Sequence, residues 1–206
     1  MLETNTLNRT VENGKILPDE NATNLTDSRI QQEQIIHKVY TDLCVASELH
    51  DKQKRSEGIM NVLKVTDWKS FFIKSSPSEW KEDKEFKNLS ILRTPNHNLI
   101  LLNWRHPVSV HLHLDRRGGC CDAYVYCVKG IASHDKYAVR EYSETEVIVG
   151  LPENELLLPG DVAIVDSTEA HAMGPLAKDS VLWTVHYYTG SIAPSNPNQR
   201  LKINGN

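Results

Sequence analysis

Cysteine is scarce in this chain: Cys44, Cys120, Cys121 and Cys127 are the four in 206 residues, and none has the CxxC spacing of a structural zinc site. A disulfide-stapled scaffold and a zinc ribbon are excluded, and in a reducing compartment all four are expected as thiols. Long apolar runs are missing too. No stretch approaches the roughly eighteen residues that cross a bilayer, so no membrane partner is expected. Excess positive charge is absent, with a net charge of -4 and a pI near 6.1, which removes the electrostatic case for a nucleic-acid or anionic-lipid partner. The N-terminus is rich in threonine and asparagine and has no apolar core of a signal peptide, so the expected compartment is the cytoplasm. The Asn-X-Ser/Thr triplets at Asn8, Asn21, Asn24 and Asn88 are then not glycosylated. There is no internal repeat.

What is present falls into two patterns. Residues 1–30 carry isolated apolar side chains with no period and are expected to form a disordered tail. The remainder, 31–206, reads as one domain. From Gln31 the residues Ile35, Ile36, Val39, Tyr40, Leu43, Cys44 and Ala46 recur at three-four spacing, predicting an amphipathic helix to about His50. A second helix carries Ile59, Val62, Leu63 and Val65. Thr66-Asp67-Trp68 and Ser75-Ser76-Pro77 look like further helix starts. Trp68, Phe71, Phe72 and Trp80 are expected to glue these helices, an annex over 31–86, onto something larger.

From residue 87 to 190 the period becomes strand-like, with short strands expected at 89–93, 98–104, 108–114, 123–128, 138–142, 146–149, 155–158, 162–165 and 181–188. Turn signals such as Thr94-Pro95-Asn96 and Pro159-Gly160-Asp161 punctuate them. Residues 191–206 are left as a C-terminal tail. Helices followed by an unbroken run of strands predict an all-β core, a jelly-roll β-barrel with an N-terminal helical annex.

Polar chemistry concentrates in three places. In Ser109-Val110-His111-Leu112-His113-Leu114, strand alternation turns His111 and His113 to one side, which suits two nitrogen ligands of a divalent metal. The pair alone is read as well as two half-exposed histidines on a sheet. His171 follows the Pro159-Gly160-Asp161 turn and is a third candidate. In Thr184-Val185-His186-Tyr187-Tyr188, alternation lines up a hydroxyl, an imidazole and a phenol on one face, while Val181, Trp183, Val185 and Tyr187 share the other.

An HxH strand followed by a lone histidine after a Pro-Gly-Asp turn resembles the cupin superfamily, whose barrel is a double-stranded β-helix. From Ser76 on, the chain resembles the cysteine dioxygenases more narrowly. Ser76-Pro77-Ser78-Glu79-Trp80 is similar to the family's Asn-Pro-x-Glu-Trp, which puts Arg93 on the arginine that grips the substrate carboxylate. Ser109 to His113 matches Ser-x-His-x-His; Asp166, Ser167 and His171 match Asp-Ser-x-x-x-His; Thr184 to Tyr188 resembles Ser-x-His-x-Tyr. The resemblance implies Fe(II) held by His111, His113 and His171, Arg93 binding substrate by two parallel hydrogen bonds, and Tyr188 beside the metal, oriented by His186 and Thr184. The implied reaction adds both atoms of O2 to the sulfur of L-cysteine, giving the sulfinic acid. The expected partners are therefore a small thiol and O2, and the expected state is a monomer. Two other readings stay open: a different thiol, such as 3-mercaptopropionate or a cysteine derivative, or a metal-binding cupin that senses a ligand without turning it over.

Departures from the family pattern lie mainly between His113 and Gly130, a gap of sixteen residues that is longer than usual. In animal members a cysteine near here is cross-linked to the active-site tyrosine. Counting forward from His113 puts Gly118 at that position, and counting back from Gly130 puts Ala123 there. Cys120 or Cys121 would reach Tyr188 only if the loop folds inward. Ile91 stands where the family often has tyrosine, and Leu112 where it usually has aspartate. Arg116 and Arg117 are read as solvated loop charges.

Overall fold

A computed structural model of the chain describes residues 11–12, 15–16, 20–75, 80–82, 86–94, 96–104, 111–112, 122–143, 145–166, 168–178, 180–190 and 200–204. It divides into two compact units, residues 1–38 and 39–206. In the first, β1 (Val11–Glu12) and β2 (Lys15–Ile16) pair antiparallel, and helix α1 (Glu20–Ser47) begins. This helix starts eleven residues before Gln31, inside the stretch expected to be a tail. Extending a formed helix fixes one residue per new hydrogen bond, so it can outrun the apolar stripe that identified it.

In the second unit, the end of α1 is followed by α2 (Lys52–Val65) and α3 (Trp68–Lys74). Their starts are capped by carboxylates: Asp51 accepts from the Lys54 N–H at 2.9 Å and Asp67 from the Ser70 N–H at 3.3 Å. Leu43, Ile59, Leu63, Trp68, Phe71 and Phe72 are buried along the helices. Residues 76–79 of the second predicted helix start lie outside the described residues.

The strands of this unit form two sheets, antiparallel but for one pair. The first has the order β11-β7-β13-β5-β4-β3, built from β3 (Lys81–Glu82), β4 (Phe86–Arg93), β5 (Asn98–Trp104), β7 (Ala123–Lys129), β11 (Val162–Val165) and β13 (Leu182–Tyr188). The second runs β14-β9-β8-β12-β6, from β6 (His111–Leu112), β8 (Ala132–Tyr142), β9 (Glu146–Val149), β12 (Glu169–Pro175) and β14 (Arg200–Ile203). β10 (Glu153–Leu157) also pairs with β8, so β10 and β9 take successive halves of that long strand. Only β14, joined to β9, pairs in parallel among the described strands.

This is a jelly roll with N-terminal helices. Its interior is filled from both sheets by Leu102, Trp104, Val125, Cys127, Ala132, Leu157, Ala163, Met173 and Leu182. Burying a Leu-sized side chain from water contributes about 1.5–3 kcal/mol, so this cluster carries much of the sheet-to-sheet adhesion. The helices cover the other face of the first sheet. Phe72 stacks on Trp183 at 4.8 Å and packs on Trp80, while Tyr124 meets the Ser56 hydroxyl at 2.9 Å and Tyr187 that of Ser47 at 2.7 Å. Of the four aromatics expected to join the helices to the sheet, Phe72 makes the contact, and Tyr124 and Tyr187 of the sheet add two that were not expected.

The turn from β7 into β8 depends on Gly130, whose φ is +88°; a Cβ there would stand 2.2 Å from the Val181 carbonyl oxygen. Three strand expectations are corrected. β8 begins at Ala132 rather than residue 138, β12 was not anticipated as a strand, and β14 lies within the stretch assigned to a C-terminal tail. The first half of β8 and β12 have too few β-branched or aromatic residues to show a strand's alternation, while β14, Arg-Leu-Lys-Ile, alternates but is only four residues long.

Candidate functional site

Two rows of polar side chains run through the barrel, one on each sheet. The first lies along β13. Thr184, His186 and Tyr188 are buried, with the hydroxyl of Thr184 2.9 Å from His186 Nε2 and that of Tyr188 3.3 Å from His186 Nδ1. At the far end the buried Trp104 Nε1–H donates to Thr184 Oγ1 at 2.6 Å. An indole N–H only donates, so it fixes one end of the row. A neutral imidazole has one N–H, and the row then has two senses. Either Thr184 donates to Nε2 and Nδ1–H donates to Tyr188, or Tyr188 donates to Nδ1 and Nε2–H donates to Thr184. In the first sense the phenolic proton points onward; in the second it points back along the row.

The other face of β13 has a different task. Tyr187 is fully buried there, its hydroxyl 2.9 Å from His97 Nδ1 as well as near Ser47, and burial pushes its pKa up. The alternation read from the sequence is thus the alternation of the strand.

The second row crosses strands. His134 on β8 is fully buried; its Nδ1 lies 2.6 Å from Glu155 Oε1 on β10, and its Nε2 lies 2.9 Å from His171 Nδ1 on β12. The two rings meet edge to face at 89°. Lys136 Nζ, 3.9 Å from Glu155 Oε2, steadies the carboxylate at the outer end. Burial pulls the His134 pKa below its ordinary value, and the hydrogen bond to Glu155 only partly offsets this. A carboxylate only accepts, so His134 Nδ1 donates to Glu155; with one proton on the His134 ring, its Nε2 accepts and His171 Nδ1–H is the donor. That leaves the His171 lone pair on Nε2, the tautomer a metal ligand needs.

His171 is also the backbone partner of His111 across β6 and β12, so two of the three expected ligands stand at opposed register positions. The third, His113, lies outside the described residues, as do Cys120 and Cys121. Arg93 closes β4, with its backbone opposite Asn98 at the start of β5, at the hairpin bent through Thr94 and His97. Ala123 is the cross-strand partner of Tyr188 and packs with it and Val165. The position that the count back from Gly130 assigns to the family's cross-linking cysteine therefore faces the tyrosine, and it holds a methyl group. Cys127 is opposite Thr184, deep in the core, with burial raising its thiol to about 11, where it is an inert packing group.

Three of these residues were not singled out in the sequence: Trp104, His134 and Glu155. Trp104 carried a usable signal, since it ends a strand of inward-facing apolar residues and an indole inside a barrel needs an acceptor. His134 and Glu155 are 21 residues apart and look like ordinary surface polar residues until the sheet pairs them.

No family profile and no curated protein sequence matches the chain. Among solved structures it is similar to KdgF from Halomonas sp., at 17% identity and a TM-score of 0.38 over 53% of this chain and 86% of that one. It is also similar to the cupin domain of Cnp3 from Schizosaccharomyces pombe (7% identity, TM-score 0.43, 58% and 72% covered) and to an oxalate decarboxylase of Bacillus subtilis (15%, 0.42, 56% and 29%).

Proposed function

We propose that the chain is a non-haem iron(II) dioxygenase that converts L-cysteine and O2 into cysteine sulfinic acid. The observation that carries this reading is the buried, hydrogen-bonded row Trp104, Thr184, His186, Tyr188. Burying three polar side chains costs free energy that apolar residues of the same size would avoid, so a purely structural barrel has no use for them.

In this reading His111, His113 and His171 hold the metal, and the 2.9 Å contact of His171 Nδ1 with His134 Nε2 fits that role, because it turns the other nitrogen of His171 to the metal. Iron(II) bound there would supply coordination positions for a thiolate and for O2, and the redox change that joins them. The protein residues do the rest. Arg93 binds the carboxylate of the amino acid through paired N–H donors and so fixes where the sulfur lies. His186 and Thr184 set the direction of the Tyr188 hydroxyl, giving one hydrogen bond or proton at the reacting atoms. Both oxygen atoms end on sulfur, so no other reductant is needed. Such an enzyme would work as a monomer on small molecules in the cytoplasm.

The test is oxygen consumption by the iron(II)-loaded protein with L-cysteine, with the sulfinate measured by mass spectrometry. One sulfinate formed per O2 consumed is the expected result. Uptake with 3-mercaptopropionate but not cysteine would transfer the reading to another thiol. Metal binding with no uptake from any thiol would leave a ligand-sensing cupin.

A further inference from the structure

We infer that Glu155 and His134 are positioning residues that hold His171 in the tautomer able to bind metal, and that they raise the affinity of the centre. The inference rests on the metal-site reading of His171. It goes beyond that reading by assigning a task to two residues outside the three expected ligands.

The geometry is specific. Three groups on three adjacent strands, β10, β8 and β12, meet at 2.6 Å and 2.9 Å, and the inner two are buried. In the sheet register Glu155 is directly opposite His134, and His171 is opposite Lys136, two residues further along β8. The acceptor at one end is a carboxylate a third exposed to solvent, so it keeps its hydration while its dipolar influence is conducted inward by the intervening ring. Three neutral imidazoles alone would leave a divalent ion with its whole charge. This relay gives one of them a partial share of a negative charge, and it fixes the plane of the ring as well as its proton. A carboxylate behind a ligating histidine has the same effect, and losing such a partner weakens metal binding about 10–100-fold. Here a second imidazole extends the reach across one more strand.

The test uses the full chain with His134→Phe, His134→Gln and Glu155→Gln. In the metal-free protein, nitrogen-15 NMR of the imidazoles should find both His134 and His171 protonated at Nδ1. His171 protonated at Nε2 would overturn the inference without touching the question of catalysis. Cobalt(II) is then titrated in competition with a chromophoric chelator. His134→Phe should bind about 10–100-fold more weakly than the unaltered chain, with a changed visible spectrum. His134→Gln should recover much of the loss, because its amide oxygen accepts from His171 and its amide nitrogen donates to Glu155. Glu155→Gln, altered at a position a third exposed, should weaken binding less and carries the test if His134→Phe does not fold. Unchanged affinity and spectrum in a folded His134→Phe, or in Glu155→Gln if that variant alone folds, would overturn the relay while leaving the metal site standing. Failure of the unaltered chain to bind cobalt(II) more tightly than His171→Ala would overturn both.

Discussion

The two polar rows make opposite use of the same material. Along β13, the row is built from neighbours two apart in one strand, ends in a phenol and is anchored by a buried neutral donor, the Trp104 indole. Across β10, β8 and β12, the row joins residues 21 and 37 positions apart, ends in an imidazole and is anchored by a carboxylate a third exposed. The first can reverse its polarity, since every internal link is a hydroxyl or a two-faced imidazole. The second cannot, because a carboxylate accepts and never donates. A reversible row suits a group that gives and takes a proton; a fixed one suits a ligand that must always present the same lone pair.

The sharpest way to separate them is to remove their anchors. Trp104→Ala should cost about 3–5 kcal/mol in urea unfolding, because it deletes a buried indole packed on Phe86 and His186 and takes one of its two partners from the Thr184 hydroxyl. If the loss stays below about 1 kcal/mol, the row is not held from that end. Tyr188→Phe keeps the packing and should lower thiol-dependent oxygen uptake about 100-fold, in the range expected for loss of a positioned proton donor. Its thermal midpoint should barely move, and a comparable fall in stability would make Tyr188 a packing residue instead. Glu155→Gln belongs at the other extreme: its stability change should stay under about 1 kcal/mol, since the carboxylate is partly solvated. A larger loss would mean that the second row supports the barrel as much as the first.

The smallest expected effect concerns the outer face of β13. Burial lowers the His97 pKa below its usual 6.5, with Glu48 opposing in part. The folded protein therefore binds this proton less readily than the unfolded chain. Stability from His97 is complete above pH 6.5 and declines as the pH falls from there through its folded pKa. Thermal midpoints between pH 7.5 and 5 should show a shallow acid slope that His97→Phe flattens. An unchanged slope in that variant would assign it to other groups.

The same contrast explains what could be read from the chain. Strands β5, β9 and β11 coincide with their expected bounds, because Asn98–Trp104, Glu146–Val149 and Val162–Val165 are rich in Leu, Ile and Val. The Thr184, His186, Tyr188 row was legible for a related reason: strand alternation alone relates its members. By contrast, the first half of β8 and all of β12 were missed, and these are the strands that carry His134 and His171. Each gives an inward position to an imidazole beside Ala132 or Met173, so the feature that makes them chemically interesting also weakens the hydrophobic pattern that identifies a strand. Pairing across 21 residues is a property of the sheet, and no local pattern announces it.

Strand β13 is fastened on both sides, by the Trp104 row inward and by Tyr187 outward, where Ser47, His97 and the Leu43 carbonyl gather round its hydroxyl. Tyr187 and Tyr188 are neighbours of identical shape, and a slip of one residue would exchange them across the sheet. That slip would still seat a phenol in the outer lock, but it would put Val185 and Tyr187 in the inward places of Thr184 and His186 and take the acceptor from the Trp104 indole. The inner row is therefore the registration key, keeping the right tyrosine of an otherwise interchangeable pair inside the barrel.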